Sequence, residues 1–181
     1  MKNLILIVTL LIIGAPEMGH AQTPVSSEMA NQYFANCKMN KDPRFATEVQ
    51  EMFCACTAVK MTEGFTVEDM QTMGQQNQAG RDATNKLIIN IYAPCIQYPA
   101  RAYHYSTCVQ NPKTKMLGKN VDGLCGCAAD NVATHLQQNA QNLFRQILAQ
   151  NPNVGDPMQA LYDSPSFQQV AQSKLMSCVG R

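Results

Sequence analysis

Eight cysteines among 181 residues are the side chains with the most chemistry to offer. Cys37, Cys54, Cys56 and Cys95 are followed by Cys108, Cys125, Cys127 and Cys178, so each set reads C-x16-C-x-C and then a distal cysteine. Three uses compete for such a pattern: structural disulfides, thiol–disulfide exchange and metal ligation. Exchange through Cys54–Cys56 or Cys125–Cys127 requires a thiolate made nucleophilic by a nearby base or a helix N-terminus. Gly126 supplies the small central residue such a dithiol favours, but His135 stands two to three helical turns beyond Cys127. Zinc sites space their paired cysteines two to four residues apart, which a one-residue gap does not match. Met70 and Met73 have the soft sulfur that Cu(I) prefers, yet methionine at helical spacing is ordinarily core filler. No C-x-x-C-H haem signature occurs. The reading is therefore staples, with no cofactor and no metal.

Eight cysteines allow 105 pairings. If both sets pair internally and alike, two schemes survive. The shorter connection favours Cys37–Cys54 with Cys56–Cys95, and Cys108–Cys125 with Cys127–Cys178. The nested scheme joins Cys37 to Cys56 and Cys54 to Cys95, and likewise in the second set. On a helix, two residues apart means a rotation of roughly 200°, so the cysteines of each C-x-C point to opposite sides. Each middle helix can thus be tied to a different neighbour on either side.

The elements that must hold these cysteines repeat with them. The first three cysteines of each set are offset by 71 residues, and Phe34, Phe53, Ala58 and Met61 fall opposite Tyr105, Leu124, Ala129 and Val132. Val49, Phe53, Cys56, Val59 and Glu63 step by three or four, with Met52 beside Phe53 and the face apolar until Glu63. Val121, Leu124, Ala128, Val132 and Leu136 step likewise. Thr66 with Asp69 reads as a capping box, and Asp156-Pro157 and Ser164-Pro165 read as caps followed by proline at the first helical position. The spacing predicts helices over 27–39, 46–63, 66–75, 80–93, 98–110, 119–137, 139–150, 156–162 and 165–178. Leu87–Tyr92 has strand composition but is read as helix. The expected fold is all-α: two tandem disulfide-stapled helical repeats, 22–97 and 98–181, packed into one compact body. The distal cysteine arrives twelve residues later in the second repeat, and the turn-rich stretch 151–156 accommodates the extra length.

Residues 1–21 read as a signal peptide. Lys2 gives the positive start, Leu4–Ile13 the apolar run, and Gly19 and Ala21 the small residues before a cleavage point. The run is about half of the roughly 20 apolar residues a spanning helix needs, so no membrane insertion is expected after cleavage. The mature chain is expected to be exported, periplasmic or extracellular, where cysteines form disulfides by default. A net charge of +1 without basic clusters speaks against a nucleic-acid partner.

For function, the expectation is a binding scaffold whose partner is another protein in the envelope or outside the cell, such as an inhibitor, immunity-type factor or assembly adaptor. Tyr98, Arg101, Tyr103, His104 and Tyr105 form the one local aromatic cluster, readable as a recognition patch or as the seam between repeats. No serine stands in a nucleophile elbow and no carboxylate pair points to acid–base work, so the chain is not read as an enzyme. The alternatives are a thiol oxidoreductase using a C-x-C dithiol, and a small-molecule carrier with a cavity between the repeats lined by Phe53, Leu124 and Ile88.

Overall fold

A computed structural model describes residues 22–117 and 120–180. The signal peptide expected over 1–21 lies outside them. The described chain is helical. α1 (Ser27–Met39) starts where the Ser26 hydroxyl accepts the Met29 N–H at 3.2 Å. α2 (Thr47–Gly64) is followed by the short α3 (Val67–Thr72), which opens on the capping box of Thr66 and Asp69. α4 (Gln78–Lys86) is capped by Asn77 and runs into a π turn, Leu87–Tyr92, and a 3-10 turn, Ala93–Cys95. α5 (Gln97–Gln110), α6 (Val121–Gln150), α7 (Pro157–Asp163) and α8 (Pro165–Met176) complete the fold. Among the described residues the only extended pairing is one isolated bridge between Pro24 and Thr66.

Two helix expectations are corrected. The stretch expected as separate helices over 119–137 and 139–150 is one 30-residue helix, α6. No proline or glycine falls between Leu136 and Ala140. Asn139, the one cap-forming residue there, donates back to the His135 carbonyl at 2.9 Å within the helix, so the i→i−4 ladder continues through Gln138. The helix expected over 80–93 keeps α geometry only to Lys86. Pro94 has no N–H to donate, and the backbone reaches it through wider and then tighter turns rather than a regular ladder.

The four bridges are Cys37–Cys54, Cys56–Cys95, Cys108–Cys125 and Cys127–Cys178. The pairing is the short-connection scheme, and it joins α1 to α2, α2 to the turn before α5, α5 to α6, and α6 to the turn after α8. Cys54 and Cys125 are wholly buried, while Cys56 and Cys127, on the opposite side of their helices, are partly exposed. The main apolar cluster is built on α6. Val132, Leu136, Ala140, Phe144 and Leu148, four residues apart, present one stripe to Ile88, Ala93, Ile96 and Ala100 on one side and to Met158, Leu161 and Phe167 on the other. That cluster draws on both sides of position 97. A second cluster, around Met61, Phe65, Leu87 and Ile91, fills the space between α1, α2 and the π turn.

Candidate functional site

The cysteines that opened the argument are all bonded. In each C-x-C the two sulfurs go to different partners, so neither motif is a dithiol. The aromatic cluster at the start of the second half is dispersed around α5. Tyr103 stacks on Tyr162 of α7 with ring centroids 4.1 Å apart, and Tyr162 meets Phe167 edge-on. Arg101 pairs with Asp130 of α6 at 2.6 Å, and the Tyr105 hydroxyl donates to Asp122 at 3.4 Å. Tyr98 and His104 are half-buried, and the His104 Nε2 is buried without a hydrogen-bond partner. Burial holds the His104 pKa below its ordinary value, which keeps the ring neutral. Most of these side chains are therefore engaged within the molecule, with Arg101 and Tyr105 exposed at its rim.

A large concave feature among the described residues lies elsewhere. A half-open groove of about 540 Å³ runs between α1, the α1–α2 connection and the beginning of α7. Its floor and walls are mostly apolar: Met29 and Tyr33 from α1, Phe45 and Phe53 from either side of the α2 start, and Tyr92, Ile96 and Met158 from the far wall. These side chains come from α1, the α1–α2 connection, α2, the π turn, the residue before α5 and the start of α7, which are spread along the chain. Phe53 and Tyr92 pack at 5.6 Å between ring centroids within the groove. Burial, with Tyr33 beside it, pushes the Tyr92 hydroxyl pKa up, so it is a neutral group there.

Polar side chains fix the shape of the groove. Gln50 is only 8% exposed. Its amide donates to the carbonyls of Cys37 and Asn40 at 2.7 and 2.8 Å, and its oxygen accepts the Asp42 N–H at 2.8 Å. One glutamine thus satisfies three backbone groups in the connection that forms the rim, as buried polar groups require. Beside it, Arg44 ties the two halves of the chain together. Its Nε and Nη2 donate to Asp42 at 3.0 and 2.6 Å, and its Nη1 donates to Asp156 at 2.8 Å across 112 residues. The Arg44 bond holds the Asp42 carboxyl below the usual carboxylate range. The Asp156 Oδ1 accepts the Gln159 N–H at 3.1 Å, so the same carboxylate caps α7.

Of the residues expected to line a cavity between the repeats, only Phe53 does so. Ile88 is 2% exposed inside the main core, and Leu124 packs with Ala128 and Cys178 at the opposite end of α6. Sequence reasoning missed Met29, Tyr33, Phe45 and Met158, whose apolar character is visible but whose convergence is a property of the tertiary fold. Asp156 reads from sequence as a cap, and nothing near it in the chain points to Arg44. The chain matches no protein-family model, no curated protein and no solved structure.

Proposed function

We propose that this chain is an exported, disulfide-locked binding protein that carries a small apolar or amphipathic molecule in the groove between α1 and the start of α7. The observation that carries this reading is the groove itself. Ligand sites are mostly apolar clefts of roughly 300–1,000 Å³ with a few placed polar groups. At about 540 Å³, with aromatic and methionine walls and the Gln50 and Arg44 clusters at its rim, this one fits the class. Methionine and tyrosine lining suits ligands of varied shape, since the thioether is flexible and polarisable. The bridges favour the same role, because a rim held by Cys37–Cys54 loses little freedom when a ligand seats.

Four disulfides accord with maturation in an oxidising compartment, and no helix among the described residues is long and apolar enough to cross a membrane. A protein partner in the envelope is the competing occupant. Of the exposed apolar residues, Met52 and Val59 share one face of α2, while Met39, Met116 and Met176 stand on other elements, and scattered exposed hydrophobes are ordinary. The reading assigns no catalytic step to the chain.

Titration with a neutral solvatochromic dye tests the proposal. The wild-type protein is expected to bind one dye saturably with a blue-shifted emission. Met29→Trp, which fills the mouth of the groove, weakens binding at least about tenfold while the helical circular dichroism is retained. Gln137→Ala, on the far side of α6, leaves the dye affinity unchanged. Saturable binding that ignores Met29→Trp, or none at all in the wild type, overturns it.

A further inference from the structure

The groove has a chemical polarity that its apolar walls conceal. Three charged residues line it: Asp42, Arg44 and Asp156. All three meet at one end. The guanidinium of Arg44 is engaged by both carboxylates, through Nε and Nη2 to Asp42 and through Nη1 to Asp156. One cation against two anions leaves that end with an excess of one negative charge. Asp156 carries it to the surface, since its side chain remains 46% exposed while that of Asp42 is 29% exposed. No lysine lines the groove to offset it. The protein as a whole has a net charge of +1, so the sign at this end is local and opposite to the global one.

The walls next to the charged end are aromatic. The Arg44 guanidinium lies over the Phe45 ring, 5.6 Å from its centroid, so the ring surface left for a ligand is that of Tyr33, Phe53 and Tyr92, which also line the groove. The electron-rich faces of such rings attract cations, and ammonium groups are recognised by aromatic walls combined with a carboxylate. An anionic head group meets the reverse. It would sit beside two carboxylates, or would have to draw Arg44 away from four hydrogen bonds that are already made.

We propose that the groove selects a cationic amphiphile, with an apolar body on the methionine and aromatic floor and an ammonium head at the Asp42–Asp156 end. This rests on the reading of the groove as a ligand site and specifies which ligands it takes. The head-group contribution is moderate, because the carboxylates are partly exposed and screened by salt.

Calorimetric titration with a chain-matched set below the micelle concentration tests it: a dodecyl chain bearing trimethylammonium, hydroxyl or carboxylate. The expected order of affinity is trimethylammonium, then hydroxyl, then carboxylate, with roughly tenfold between the two ends of the series at low salt. Asp156→Asn keeps a side chain able to cap α7 but removes the excess charge, and it is expected to shrink that ratio to about twofold or less. Equal binding of all three, tightest binding of the carboxylate, or a ratio unmoved in Asp156→Asn overturns the head-group assignment while leaving the groove as a ligand site. Failure of every member of the set to bind, or binding insensitive to Met29→Trp, overturns the ligand site itself and the head-group assignment with it.

Discussion

The two halves of the chain share a cysteine pattern and a bridge pattern, and they part company just after the second C-x-C position. In the first half α2 stops at Gly64, the chain turns at Phe65, and Thr66 and Asp69 begin a new helix. At the same offset in the second half stand His135, Leu136, Gln137 and Ala140. None of these stops a helix or caps one, and α6 continues to Gln150. The extra length, about 20 Å at 1.5 Å per residue, carries Ala140, Phe144 and Leu148 across to the first half, where Ile88, Ala93 and Ile96 await them. The comparison teaches that the bridges set the local pairing of helices, while a handful of terminating residues decides which half supplies the common core.

The largest test of this asymmetry is Phe144→Ala. Phe144 is fully buried in the core that both halves use, and truncating it is expected to cost about 3–5 kcal/mol. Hydrogen exchange should then rise around Ile88–Ile96 as well as along α6. Protection lost from the second half alone would break the claim of a shared core. Next in size are the paired removals Cys37→Ala/Cys54→Ala and Cys108→Ala/Cys125→Ala. Both bridges span 17 residues of sequence, so the chain-entropy treatment assigns about 3 kcal/mol to each. Denaturant midpoints differing by much more than the error would show that the halves are not equivalent even where their bonding matches.

The smallest effect is expected from Asp69→Asn, which weakens the turn that the second half lacks. Asparagine still accepts the Thr66 N–H, so what is lost is the carboxylate charge and its Lys86 ion pair, expected to cost about 1 kcal/mol near neutral pH. Burial works to raise the Asp69 pKa, but the Lys86 and Thr66 bonds prevail and lower it. A carboxylate with a depressed folded-state pKa stabilises above its unfolded value, about 3.9, and that stabilisation is lost as pH falls through the folded-state value. The wild-type and Asp69→Asn stabilities should therefore differ above the unfolded value and converge as pH falls through the lowered folded-state one. A gap that persists unchanged into acid would locate the effect in shape rather than charge.

Much of the helical frame is legible in the residues, because caps act locally. Asp156-Pro157 and Ser164-Pro165 announce α7 and α8, and Thr66 with Asp69 announces α3. The opposite sides taken by Cys54 and Cys56 follow from helical rotation alone. The unbroken α6 was less visible, since its continuation is marked only by the lack of a stop and a Gln-rich stretch reads equally well as a connection. The groove was the least visible of all. Met29 and Met158 are ordinary apolar residues 129 positions apart, and only the tertiary fold brings both to one groove. Arg44 likewise has no local reason to meet Asp156, and their pairing becomes intelligible only once α7 has folded back.

The order of the bridges has a consequence for survival among proteases. The four covalent rings follow one another along the chain without overlapping: 37–54, 56–95, 108–125 and 127–178. A single backbone cut inside any ring leaves both fragments on one molecule, and packing can hold the nicked ends in place. Between Cys37 and Cys178 only Ala55, Gly126 and the stretch 96–107 lie outside a ring. Ala55 and Gly126 sit mid-helix, and 96–107 is almost entirely α5, backbone that a protease must first unwind. Between Cys37 and Cys178 one nick therefore seldom severs the chain, and a cut in α5 would divide it into two doubly ringed halves. The segment 22–36, with most of α1, precedes the first ring and has no such protection.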